Sequence, residues 1–473
     1  MKNNARESSL IKNTLIISIG TICTKLITFL LLPLYTGILT TEEYGIVDLL
    51  NTLVSLLLPI VTFQSEQAVF RELINVRNDE YQKKEIISNG FFSILLQCSI
   101  YLLFFLLLSP MINSKYKIFL AINVIANIFS SFLLQVSRGL GDNKKYTVGS
   151  FFSASSTILF NILFLTVIKL RVNGMLLGTL IGQLTCIIYL LFSLKLIKYI
   201  SIKVVTKKFV KKLWKYSLPL VPNAISWWIF NASDKVIVST VLGLSMNGIL
   251  SATSKFSSIY ITLYNIFNMS WTESIALHIN DEDINEYFNN MFNLILNLFI
   301  SLAIIIIAIM PFIFPIMIHK SYNSGYTIIP ILILGSMFNV VVGLISVIYV
   351  AKKNTKAIAN TSIISALLNI IIHISLIKYI GLYAAAISTF LSYFIMSIYR
   401  LYDIQKKYFK IKLNTKIIIS SSIVMTIAIF IYYINNIYLN IISLIFVTIY
   451  IITINKNSFK LIFELIHRKL RKE

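Results

Sequence analysis

A chain of 473 residues that is 57% hydrophobic and only 13% charged, with a mean hydropathy of +0.81, falls outside the ordinary soluble class, in which about a quarter of residues are charged. Its net charge of +23 invites a nucleic-acid partner. The basic residues lie in short segments between apolar runs rather than in one patch, so no nucleic-acid partner is expected.

A spanning helix needs about 20 mostly apolar residues. The expected fold class is therefore all-α and polytopic in a membrane, with about fourteen spans and no soluble domain. They are placed at 10–32, 44–66, 88–109, 118–138, 147–168, 174–194, 216–240, 246–270, 289–313, 327–350, 357–377, 382–399, 417–434 and 437–454. Met1-Lys2-Asn3-Asn4-Ala5-Arg6 is basic and polar. The apolar run after it is long, carries Lys25 and has no small-residue cleavage site, so it reads as the first span, not a cleaved signal.

Lysine and arginine placement sets orientation. With the N-terminus inside, the outside loops hold only Lys115, Lys117, Lys169, Arg171, Lys320 and Lys378. Lys25, Lys235 and Lys255 fall within spans, and all other basic residues, including Arg400 after span twelve, lie inside. Both termini are thus expected on the cytoplasmic side of the cell (plasma or inner) membrane. The most basic loop, Lys195–Lys215, reads as solvated inside charge touching anionic membrane lipids, and its place fits a linker between two six-span lobes. The expected domains are 1–200 (spans 1–6), 201–410 (spans 7–12) and 411–473. The last holds spans 13–14 and a basic amphipathic tail carrying Phe459, Ile462, Phe463, Ile466 and Leu470. An offset of 203 residues superimposes Leu39, Gly45, Ile46 and Ser55 on Leu242, Gly248, Ile249 and Ser258. This faint repeat would relate the lobes by an axis along the membrane normal.

Polar residues three and four apart share a helix face. Span one carries Thr14, Ser18, Thr21, Lys25 and Thr28; span two carries Asp48, Asn51, Ser55, Thr62 and Glu66. Span eight carries Ser251, Lys255, Ser258, Thr262 and Asn265, and span eleven Ser362, Ser365, Asn369 and His373. Such stripes turn from lipid toward other helices or water. For the hydroxyls, hydrogen bonding between helices is an adequate account. A charge at mid-membrane costs at least about 2.5–3.5 kcal/mol, so the lysines need water, a carboxylate or an anionic ligand. For Lys25 and Lys255, Asp48, Asp234 and Glu66 are the available ion-pair partners. Asp234 and Lys235 are about 100° apart on a helix, and Lys235, flanked at four-residue steps by Asn231 and Ser239, has the more polar face. Asp234 is then the structural partner, and Lys25, Lys235 and Lys255 form the expected anion site. Asp48, Asn51, Asn231, Asp234, Ser251 and Ser258 are expected to line its cavity.

The chain lacks a G-x-x-x-x-G-K-[ST] loop, so no ATPase is expected. Arg138-Gly139-Leu140-Gly141-Asp142 reads as a turn. No metal-ligand cluster, nucleophile–base pair or catalytic residue stands out, and neither cofactor nor enzyme activity is expected.

The segment Phe29-Leu30-Leu31-Leu32-Pro33-Leu34-Tyr35-Thr36-Gly37-Ile38-Leu39-Thr40-Thr41-Glu42-Glu43-Tyr44-Gly45-Ile46-Val47-Asp48-Leu49 resembles Wzx-type polysaccharide flippases. These belong to the MOP superfamily, which also contains MATE antiporters and the lipid II flippase. Asn231-Ala232-Ser233-Asp234-Lys235-Val236-Ile237-Val238-Ser239 resembles the family's Ser-Asp-Arg/Lys element in span seven. The resemblance implies two six-helix lobes around a cationic cavity, working by alternating access. The implied cargo is an undecaprenyl-pyrophosphate-linked oligosaccharide repeat unit, moved from inner to outer leaflet for capsule, O-antigen or exopolysaccharide assembly. It leaves room for a coupling ion, proton or sodium, and for a polysaccharide polymerase as partner. Lysine stands at every intramembrane cation, which supplies charge but not bidentate phosphate recognition. The alternative is a MATE-like ion-coupled exporter of small molecules, which calls for a cavity dominated by carboxylates.

Overall fold

The computed structural model describes residues 25–111, 113–408 and 410–456. Thr14, Ser18, Thr21 and the amphipathic tail from Phe459 to Leu470 lie outside the described residues, as does the first part of expected span one. The described part is helical throughout, with no strand among the described residues. Helix α1 is Lys25–Ile38. It is followed by α2 (Thr41–Thr62), α3 (Ser65–Asn75), α4 (Glu80–Leu108), α5 (Lys117–Gly139), α6 (Asn143–Ile162) and α7 (Arg171–Ser193). Next come α8 (Lys207–Ser217), α9 (Val221–Val241), α10 (Leu244–His278), α11 (Ile284–Met317) and α12 (Ile329–Ala351). The last are α13 (Thr355–Ile380), α14 (Tyr383–Lys407), α15 (Thr415–Ile434) and α16 (Ile437–Ile454).

Eleven helices among the described residues are long and apolar enough to cross a membrane, and the chain is a multi-pass membrane protein. Expected spans seven and eight are α9 and α10, of 21 and 35 residues, which are not among those eleven. Charges and hydroxyls at Asp234, Lys235 and Lys255 and around them dilute their apolar character. The count of fourteen remains an expectation of the sequence.

The start of α2 follows from local chemistry. Thr40 accepts from the Glu43 amide while the Glu43 carboxylate accepts from the Thr40 amide at 2.9 Å, a capping box that satisfies two terminal donors. The helix stops at Phe63 and Gln64, both in the left-handed region, which non-glycine residues rarely adopt. The expected span to residue 66 is thus cut short. Glu66 opens α3 instead of extending the α2 stripe, and it is buried.

The chain forms two compact units. Of the described residues, the first comprises those up to Leu31, Ile38–Ser239 and Gly243–Gly248; the second comprises Leu32–Gly37, Thr240–Leu242 and those from Ile249 onward. The first packs around Val69, Leu73, Ile87, Ile94, Val124, Phe132 and Leu190. Gly178 and Gly182 of α7 lie against Asn161 and Thr157 of α6, where any side chain would collide. Such close approach suits helices that cannot gain from hydrophobic expulsion in lipid. The basic loop is pinned to this unit: Ser88 donates to the Tyr199 carbonyl, and Asn89 bridges the Val204 carbonyl and the Thr206 amide. In α8, Leu213 is buried and the Trp214 indole donates to Ser93, while Lys207, Lys208, Lys211, Lys212 and Lys215 are exposed.

In the second unit, Trp271 of α10 donates to the Leu344 carbonyl of α12. Asn289 and Asn293 of α11 hold the linker 410–414 through four hydrogen bonds to its backbone. The stripe on α13 serves helix packing: Ser365 donates to the Ser392 carbonyl and Asn369 to Thr389, both on α14, and His373 is buried.

Candidate functional site

Within the first unit, α2 and α9 meet along one polar face of each. Asp48 and Ser55 are seven residues apart on α2, and Trp228 and Lys235 seven apart on α9, so each pair shares a face about 10 Å long. The helices run antiparallel there. The Trp228 indole donates to the Thr52 carbonyl and to Ser55 Oγ, at 3.0 and 3.1 Å. At the other end Lys235 Nζ sits 2.8 Å from Asp48 Oδ1. The side chains of this ion pair are 26% and 12% exposed. Asn51 and Ser55, on the same face of α2, are exposed. An ion pair and two exposed polar groups on an otherwise apolar helix belong against water, because lipid would leave them unsatisfied.

One turn before Asp48, Gly45 crosses Gly248 of α10, the position 203 residues on. A Cβ at Gly45 would fall on the Leu244 carbonyl oxygen, and one at Gly248 on that of Thr41. Thr41 and Leu244 are also 203 residues apart, so the contact is reciprocal and carries the offset seen in the sequence. Asn247 donates to the Gly45 carbonyl at 3.0 Å and the hydroxyls of Thr41 and Ser245 meet at 2.6 Å, closing the junction. Beside it, Arg171 at the start of α7 grips both oxygens of Glu43 at 2.6 and 2.5 Å.

The expected site residues are placed as follows. Lys235, expected in the anion site, is paired with Asp48, which was expected to line the cavity. Lys25 is exposed on α1, in the first unit; Lys255 is partly buried on α10, in the second. Asp234 is partly buried. Ser258 is exposed, whereas Ser251 is only 1% exposed and its hydroxyl is buried. The side chain of Asn231 lies outside the described residues. Among the described residues, no group of three His, Cys, Asp or Glu is arranged to hold a metal ion.

Two residues escaped the sequence reading. Trp228 could have been found, since it lies one heptad before Lys235 on the same face. Arg400, assigned to a loop, is 2% exposed inside α14, which continues to Lys407. Its guanidinium donates to Thr361, Ser362 and the Ile358 carbonyl of α13 and to Ser346 of α12. No carboxylate pairs with it among the described residues. Nothing in the local pattern distinguished this arginine from the lysines that follow it.

Residues 10–272 match the family model for polysaccharide biosynthesis proteins. No curated protein sequence matches the chain. Among solved structures, the lipid II flippase MurJ in its inward closed conformation is similar over 94% of this chain and 100% of its own, with a TM-score of 0.67 and 18% identity. An inward-facing multidrug resistance MATE family transporter of the MOP superfamily is similar over 81% of this chain and 95% of its own, with a TM-score of 0.64 and 11% identity. A mutant form of the Vibrio cholerae MATE transporter VcmN aligns with 85% of this chain and 98% of its own, at a TM-score of 0.55 and 12% identity. At these identities the likeness establishes the fold.

Proposed function

The chain belongs to the polysaccharide biosynthesis protein family, and from that premise we propose that it is a flippase for undecaprenyl-pyrophosphate-linked oligosaccharide. The repeat unit moves from inner to outer leaflet by alternating access of two six-span lobes, with both termini cytoplasmic. The observation that carries this reading is the combination of that family with a fold shared with a lipid II flippase over 94% of the chain. Lys25, Lys235 and Lys255 supply positive charge in apolar helices, where it attracts a pyrophosphate far more strongly than in water. Asn51, Ser55 and Ser258 are exposed hydroxyl and amide groups suited to sugar hydroxyls. Coupling to protons or sodium and handing of the product to a polymerase complete the proposal.

The MATE-like fold similarity also accommodates export of small cations, and Asp48 is a carboxylate on the polar face of α2. The two readings differ in which sign of charge the cargo needs. In a strain lacking its own flippase, wild-type protein restores surface polymer, and Lys25→Ala, Lys235→Ala and Lys255→Ala reduce it at equal protein abundance. Wild-type export by all three variants would remove the cationic mechanism. Efflux of a cationic dye with no polymer restored would establish the exporter instead.

A further inference from the structure

We propose that Asp48 is a resident counter-ion of the Lys235 ammonium, and that the diphosphate of the carried lipid displaces it. This rests on the flippase reading and names the step by which that site accepts its anion. The contrast with the Arg171–Glu43 ion pair of the same unit is the starting observation. Arg171 and Glu43 engage through two nitrogens and both carboxylate oxygens, the geometry of a durable tie. Lys235 meets Asp48 through one oxygen at 2.8 Å. The second oxygen, Oδ2, is buried and makes no hydrogen bond among the described residues.

An ammonium carries three donors. Among the described residues Lys235 commits one to Asp48, and its side chain stays 26% exposed. Its other donors are therefore available to an incoming anion without Asp48 having to leave first. Asn51, three residues after Asp48 on the exposed face, adds an amide donor within the same patch. The neutral pair lets an apolar helix hold a lysine with little uncompensated charge. A diphosphate brings more negative charge than one carboxylate and more acceptor oxygens, so it competes successfully for the ammonium. The displaced Asp48 carboxylate then repels the bound anion and limits how tightly it is held. A carrier needs that limit, since a site that binds too strongly does not release.

The test uses the full-length protein in detergent, with farnesyl diphosphate as probe and farnesol and inorganic pyrophosphate as separate arms. Asp48→Asn removes the competing charge and is expected to bind farnesyl diphosphate about tenfold more tightly, equivalent to about 1.4 kcal/mol. Lys235→Met loses diphosphate binding, and the Asp48→Asn gain vanishes when combined with Lys235→Met. Farnesol binds all variants alike; inorganic pyrophosphate follows the farnesyl diphosphate order. In cells, Asp48→Asn exports less polymer despite its tighter binding. In the wild-type protein, farnesyl diphosphate but not farnesol accelerates carbodiimide labelling of Asp48, a measurement that needs no variant to fold. Unchanged labelling, or an Asp48→Asn protein that folds yet binds no more tightly, would overturn the proposal and leave the pair a structural tie. Failure of the wild type to restore polymer would instead strike the flippase reading, whatever the binding results.

Discussion

Alanine at Gly45 or Gly248 tests the junction of α2 and α10 at its tightest point. At either position the new methyl group falls on a carbonyl oxygen of the facing helix, and a backbone oxygen cannot rotate away. The helices must part. Overpacking of this kind costs about 1–3 kcal/mol. Parting also weakens the buried hydrogen bond from Asn247 to the Gly45 carbonyl, worth about 1 kcal/mol. Alanine returns up to about 1 kcal/mol of helix propensity, so the net loss is about 1–3 kcal/mol for each variant. Because the contact is reciprocal, the two losses should match. The double variant should cost less than their sum, since the helices have already separated. Gly37→Ala, with no atom within 4 Å of the added carbon, serves as the control and should be neutral or slightly stabilising. Thermal unfolding of purified protein in one detergent, followed by tryptophan fluorescence, reads all four. A Gly248→Ala protein that melts with the wild type while Gly45→Ala does not would refute the reciprocal crossing.

Arg400→Lys should destabilise by about 1–3 kcal/mol, because one ammonium cannot reach acceptors on both α12 and α13 and stays buried and under-bonded. Arg400→Met should be milder, since Ser346 and Thr361 retain bonds to the Val342 and Ala357 carbonyls of their own helices; melting curves that rank the two the other way would contradict this. Burial of Glu66 in α3 holds its carboxyl above the usual carboxylate range, and Oε2 makes no hydrogen bond among the described residues. The folded state therefore keeps a proton that the unfolded chain releases, and stability falls as pH rises above the ordinary carboxylate range. Glu66→Gln should flatten that fall, as a melting series from pH 4 to 8, about four units, would show.

The helical, membrane-spanning class followed from hydropathy alone, because a bilayer forces each backbone polar group to bond within its own segment. The stripes on α2 and α13 were legible from spacing, as was the offset of 203 that reappears at Gly45 and Gly248. The partner of each polar group was not. Sequence spacing gives the face of a helix, and only packing says what meets it. Spacing offered Lys235 no carboxylate, since Asp234 lies on another face, and it took the antiparallel register of α2 and α9, fixed also by Trp228 at Thr52 and Ser55, to bring Asp48 to it. Glu66 left the α2 stripe because Phe63 and Gln64 turn the backbone left-handed, a break that no glycine or proline announced. Arg400 was hidden for a related reason: its neutral partners Ser346, Thr361 and Ser362 lie on other helices 38 to 54 residues earlier, beyond any local signal. Composition thus determined that this chain lives in a membrane and carries charge where lipid excludes it. Which of those charges are neutralised, and by what, was decided by helices that meet only after folding, since ion pairing depends on a few ångströms of distance that no spacing along a single helix can supply.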